Sequence, residues 1–162
     1  MIRTIDDFLK LWREEKAATL KVFSRLTDDS LQQAWPGGRS IGRLANHITD
    51  TLYELPAQAG LPLTLIEAKR NTVNELMAAY DEGADRVAEA VSENWHDGQL
   101  DDETPMYGQS WKKGACLWAL IAHQAHHRGQ MTVLMRFAGL KVPGVYGPSK
   151  EEWVAYNMAP QE

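Results

Sequence analysis

Apolar residues recur at three- and four-residue steps through most of the chain, which is the spacing of amphipathic helices. Ile5, Phe8, Leu9, Trp12, Leu20 and Phe23 form the first such stripe. Thr4 supplies its N-cap, and Asp6 and Asp7 give the acidic first turn that suits the positive end of a helix. Thr27-Asp28-Asp29-Ser30 and Trp35-Pro36-Gly37-Gly38 read as a connection. Ser40 then caps a second helix with Ile41, Leu44, Ile48, Leu52 and Leu55 on one side, which Pro56, Gly60 and Pro62 interrupt or end. A third, long helix is predicted from about Leu65 to about Asn94, carrying Val73, Leu76, Met77, Tyr80, Ala84, Val87 and Val91. Gly83 is the weak point in its middle. The Gly-, Asp- and Pro-rich stretch 95–110 predicts a loop with a short hairpin around Met106-Tyr107-Gly108. A fourth helix follows from about Lys113 to Ala138, closed by Gly139. Ser149-Lys-Glu-Glu152 is a capping-box pattern that opens a short terminal helix. There is no repeat, low-complexity tract or interdomain linker. The expectation is one all-α domain over residues 1–162, a four-helix bundle with a short C-terminal helix.

Composition narrows the function classes. A chain of 162 residues suits a single domain. At this length roughly 68–70% of the unfolded surface is buried on folding, so no disulfide or structural metal is required. Seventeen Lys and Arg against 22 Asp and Glu give a net charge of −5, which argues against phosphate-backbone binding. The single cysteine, Cys116, excludes an intrachain disulfide framework and CxxC zinc modules and fits a reducing compartment. The longest stretch without a charged side chain, Gly114–His127, is too short for a bilayer span. Arg3, Asp6, Asp7 and Lys10 stand where a signal peptide would need an apolar core. These features predict a soluble, cytoplasmic protein with a small-molecule substrate, no nucleic acid and no membrane.

The chemistry lies in the histidines, of which there are five. Taking about 100° per residue and measuring from His123, Cys116 and Leu134 fall at about 20°, Leu120 and Ala138 at about 60°, and Met131 at about 80°. His127 stands at about 40°, in the middle of this apolar face, and His126 at about −60°, on its flank. Two imidazoles one turn apart on a core-facing surface can reach one ion, the geometry that HExxH proteases use. Each buried ring otherwise needs its own hydrogen-bond partner. His47 is a third candidate from the second helix, at the edge of that helix's stripe with Asp50 and Thr51 beside it. His96 follows Trp95 in a polar loop and reads as solvated.

The string His123-Gln-Ala-His-His127-Arg-Gly-Gln130, with Ala138-Gly139 downstream, resembles the fourth-helix signature of the DinB/YfiT-like family. Arg39-Ser-Ile-Gly-Arg-Leu-Ala-Asn-His47-Ile resembles its second-helix signature. The resemblance runs in order and spacing from about Phe8 to Tyr146. It implies an up-down-down-up four-helix bundle and a divalent metal held by three histidines, which motif matching places at His47, His123 and His127. It also implies enzymes of diverse or unassigned activity, some of which use low-molecular-weight thiols such as bacillithiol or mycothiol.

Three neutral imidazoles leave an ion such as zinc with an open position, the mark of a catalytic site rather than a closed structural one. Zinc or nickel suits such a donor set. A metal there lowers the pKa of water or deprotonates a thiol. Position 124 is Gln, so the HExxH peptidase reading fails for want of a carboxylate beside the first ligand. Gln130 is a candidate to hydrogen-bond substrate, and Asp50 to orient His47. Cys116 lies about two turns, roughly 10 Å, from His123 and reads as core. His126 is the fallback ligand, and Arg128 either binds an anionic substrate or pairs with an acidic neighbour. The lack of a general base favours thiol-dependent transferase chemistry. The alternatives are a metal-dependent hydrolase and a non-catalytic metal-binding stress-response protein, the latter expected if a fourth protein ligand closes the site.

On the other side of the fourth helix, Trp118, Ala122, Ala125, Gly129 and Val133 are small or apolar where a solvated face would be charged. Either the terminal helix with Trp153 and Tyr156 covers them, or a second copy does. The expectation is a homodimer with a self-complementary interface.

Overall fold

A computed structural model describes residues 2–65 and 68–160. Four long helices carry the fold: α1 (Ile5–Phe23), α2 (Ile41–Gln58), α3 (Val73–Asn94) and α4 (Lys113–Phe137). Between α3 and α4 the strands β1 (Glu103–Met106) and β2 (Gln109–Lys112) form the expected hairpin, with Thr104 opposite Trp111. Its two turn residues, Tyr107 and Gly108, both have positive φ (49° and 77°), the backbone that matches the twist of paired strands.

The expected caps form. Thr4 and Ser40 accept hydrogen bonds from the N–H groups of Asp7 and Arg43. α3 starts later than the periodicity suggests. Residues 66 and 67 lie outside the described set, residues 68–70 are not helical, and Thr72 and Glu75 close a full capping box that fixes the start at Val73. α3 runs unbroken through Gly83, where an added Cβ would stand 2.9 Å from Leu52 Cδ1. This glycine lets α3 approach α2 closely. Pro56 does not end α2, which continues to Gln58. A proline in the last turn removes one backbone bond without breaking the ladder beyond it, and Gly60, at φ 88°, turns the chain. The terminal helix is reduced to a single 3₁₀ turn, Trp153–Tyr156. Only half of its capping box forms: the Ser149 N–H reaches the Glu152 carboxylate, while the Ser149 hydroxyl has no partner.

α1 and α2 each pack against both α3 and α4. The start of α3 lies beside the α1–α2 connection, where Val73 N–H donates to Asp28, and the start of α1 lies beside the end of α3, where Ile5 N–H donates to Asp97. α2 and α3 therefore run parallel, α1 and α4 run opposite to them, and the arrangement is up-down-down-up. The core between them holds Phe8, Trp12, Ile41, Ile48, Leu52, Tyr80, Leu120 and Met131. The buried Trp12 indole donates to Ala84 O at 2.8 Å. No helix among the described residues is long and apolar enough to cross a membrane.

Candidate metal centre

Packing α2 antiparallel to α4 sets the second turn of α2 against the middle of α4, and this brings three imidazoles together. His47, His123 and His127 present one ring nitrogen each, and these atoms all lie within 4.8 Å of one another. The ring centroids are 4.5–5.0 Å apart. His47 Nε2 and His123 Nε2 are 3.3 Å apart. Two nitrogens bound at about 2.1 Å to a tetrahedral ion would be separated by about 3.4 Å, so this pair already has the spacing of co-ligands. Among the described residues no fourth His, Cys, Asp or Glu joins the group.

The ring orientations have identifiable causes. His127 Nδ1 lies 2.7 Å from Gln130 Oε1. The amide oxygen can only accept, so Nδ1 carries the proton and the Nε2 lone pair is left for the cluster. Gln130 therefore orients a histidine instead of standing free for substrate. The Gln130 amide nitrogen lies 3.1 Å from Nε2 of His126. His126 itself is exposed and outside the cluster, so the fallback ligand is not placed with the other three. His123 Nδ1 is buried without a hydrogen-bond partner.

Desolvation dominates the electrostatics. Burial lowers the pKa of His47 and His127 and, with the neighbouring His127 and His47, brings His123 to about 4. Arg39 pushes all three in the same direction. Neutral imidazole is the ligating form, and here it needs no proton displaced near neutral pH.

The remaining candidates have other roles. Asp50 is held by Arg70 at 2.7 Å, and no hydrogen bond joins it to His47 among the described residues. Arg128 is buried, 1% exposed, and pairs with an acidic neighbour, one of the two roles expected of it. Its guanidinium pairs with buried Glu15 at 2.6 Å, with Thr19, and with the Tyr146 hydroxyl. Cys116 is buried, and burial pushes its thiol pKa up. His96 is exposed in its loop, as expected.

Two residues matter more than the sequence indicated. Gln124, fully buried, donates to Ile48 O at 2.9 Å and to Thr51 Oγ1 at 3.2 Å, and accepts from the Tyr80 hydroxyl. It ties α2, α3 and α4 together immediately beside His123. Its signal was a polar residue at a core position, next to a ligand candidate. Arg39, in the α2 signature string, lines cavities on both sides of the cluster.

A three-imidazole cluster between two helices of an up-down-down-up bundle is a donor set that could hold a metal ion. The chain belongs to the DinB family, whose model it matches over residues 1–162. It is 37% identical to the uncharacterized protein YrdA of Bacillus subtilis (strain 168), across 98% of this chain and 97% of the relative. A DinB-like protein from Bacillus cereus ATCC 10987 has the same fold, with a TM-score of 0.84 and 37% identity, over 90% of this chain and 100% of that one. YfiT from Bacillus subtilis, described as a probable metal-dependent hydrolase with an unusual four-helix bundle topology, superposes with a TM-score of 0.63. It covers 83% of this chain and 87% of its own, and at 16% identity it shows the fold alone.

Proposed function

We propose that this protein is a metal-dependent enzyme acting on a small molecule, with a divalent ion, zinc or nickel, held by His47, His123 and His127. The observation that carries this reading is the convergence of three neutral imidazoles, with no fourth protein ligand among the described residues. An ion with an open position there would supply Lewis-acid activation of a nucleophile.

The surroundings of the cluster support one reaction class over another. A hydrolase of the HExxH kind sets a carboxylate beside its ligands; here Gln124 is spent on helix packing and Asp50 on Arg70. A metal held by these residues would lower the pKa of a thiol without any protein base, so thiol-dependent transfer is the reading favoured. A sulfur–carbon bond would form as the carbon–leaving-group bond breaks, the leaving group would take that bond's electron pair, and the thiol proton would go to solvent. The likeness to YfiT, a probable metal-dependent hydrolase, favours hydrolysis as the second reading. The lone buried thiol supports a reducing, cytoplasmic setting. We further propose a homodimer through the outer face of α4. Trp118 remains 57% exposed there, and the C-terminal segment meets that face at Arg136, which pairs with Glu151.

The test is metal analysis of untagged protein, followed by a screen of electrophiles with and without added thiols. One ion per chain and conjugation that requires both metal and thiol are the expected results. Ester or amide cleavage without thiol would move the assignment to hydrolase, and a loaded protein inert in both assays would favour a non-catalytic metal-binding role.

A further inference from the structure

Two cavities meet at the histidine cluster, and their linings are opposite in character. One, of about 520 Å³, is walled by Trp35, Leu44, Val133 and Leu134 and reaches His126 and His127. The other, of about 840 Å³, reaches His47 and is lined by Arg39, Arg43, Lys69 and Arg70. Arg39 lines both.

Among the described residues the charge of the second cavity is not neutralised from within. Asp50, its acidic lining residue, is taken by Arg70. Asp28 and Glu75 are engaged in capping α3. Among the described residues no carboxylate pairs with Arg39, Arg43 or Lys69. Three cations thus gather at one opening of a chain whose net charge is −5. The first turn of α2, with Ser40 and Gly42, borders the same cavity and adds the positive end of its helix.

We propose that the substrate is bipartite: an anionic portion seats against Arg39, Arg43 and Lys69, an apolar portion lies beside Trp35 and Leu134, and the reacting bond is held between them at the imidazoles. The position of the reacting bond rests on the function proposed above; the two-sided binding does not.

The experiment uses the full chain, metal-free, and two fluorescent probes of similar apolar body: 8-anilinonaphthalene-1-sulfonate and its uncharged counterpart N-phenyl-1-naphthylamine. The sulfonate should bind more tightly. Arg39→Gln, an exposed position whose change leaves the core intact, should weaken the sulfonate about tenfold, the effect of losing one charge-assisted hydrogen bond, and leave the neutral probe unchanged. Trp35→Ala should weaken both probes, and Trp118→Ala on the outer face of α4 neither. Equal binding of the two probes, indifference of the sulfonate to Arg39→Gln, or its loss on Trp118→Ala would each overturn the proposal. His123→Ala separates the two readings. Loss of metal with Arg39-dependent sulfonate binding retained supports both. Metal retained by that variant overturns the ligand set and leaves the bipartite substrate standing.

Discussion

The buried pair Glu15–Arg128 offers the sharpest energetic test. Arg128 is 1% and Glu15 7% exposed, so neither charge can fall back on water. The guanidinium donates to Glu15 Oε2 at 2.6 Å and to Thr19 Oγ1 at 2.9 Å, and the Tyr146 hydroxyl donates to the same carboxylate at 2.8 Å. Glu15→Ala removes the counter-charge and leaves the guanidinium with only neutral acceptors. Stranding a buried charge in this way costs about 3–5 kcal/mol. For a domain of this size each kcal/mol moves Tm by about 2–4 °C, so the variant should melt about 6–20 °C lower. Tyr146→Phe, which deletes one hydroxyl and leaves the pair, should cost about 1 kcal/mol.

The double variant Glu15→Leu/Arg128→Met discriminates between a pair that stabilises and one that is merely required once present. Both charges are then absent and the volume is filled. The double variant should therefore be far more stable than Glu15→Ala, close to the parent protein. Urea denaturation of the parent, Glu15→Leu, Arg128→Met and the double variant, followed by far-UV circular dichroism, gives all four corners of the cycle. A Glu15→Ala cost below about 1 kcal/mol would mean that the pair is solvated in solution. Additive losses in the double variant would refute the coupling itself.

Three further outcomes follow from the site. Removing the group that orients His127, in Gln130→Ala, should lower zinc affinity about 10–100-fold, His127→Ala should lower it more, and His126→Ala should leave it nearly unchanged in a competition titration; equal losses from His126→Ala and His127→Ala would refute the ligand assignment. In metal-free protein, His123 titrates at about 4, chiefly because burial disfavours its charged form, so between pH 6.5 and 4 the unfolded chain binds protons that the folded chain does not. Stability should be full above pH 6.5 and decline as pH falls towards 4, a decline that His123→Ala should flatten; a urea midpoint that rises on acidification over this window would show that the ring is not buried neutral. Ala122→Glu, on the exposed face of α4 beside Trp118, should convert a dimer into folded monomers in sedimentation velocity, and a parent protein that stays monomeric at high concentration would remove that interface.

What the sequence made legible was whatever repeats along one helix. The stripes located all four helices, and the i, i+4 pair His123 and His127 could be read without knowing what faced it. His47 was harder, because periodicity gives the centre of an apolar stripe and not the neighbour that covers its flank; only the antiparallel packing of α2 on α4 turns that edge position inward. Glu15 and Arg128 are 113 residues apart, and their pairing depends on α1 and α4 running side by side. In the C-terminal segment the capping-box letters were present, but the Ser149 hydroxyl does not close the box, and a turn replaces the helix. Asp50 shows the same limit from the other side, since only the fold shows that Arg70, from another element, takes the carboxylate one turn from His47.

The roles of Gln124 and Arg128 belong together. Within six residues of α4, His123 and His127 face α2, Gln124 bonds α2 and α3, and Arg128 bonds α1. A helix held only by apolar contacts can rotate slightly about its axis, and a rotation of one residue position would carry His127 out of register with His47. Directional bonds to three different helices oppose rotation in either sense. The spacing of the three imidazoles is thus set by the bundle's own packing, which is the condition for a site that binds without rearranging its scaffold. It also explains why α4 is so weakly amphipathic: one face holds the imidazoles, another a buried guanidinium, and the third remains apolar and exposed.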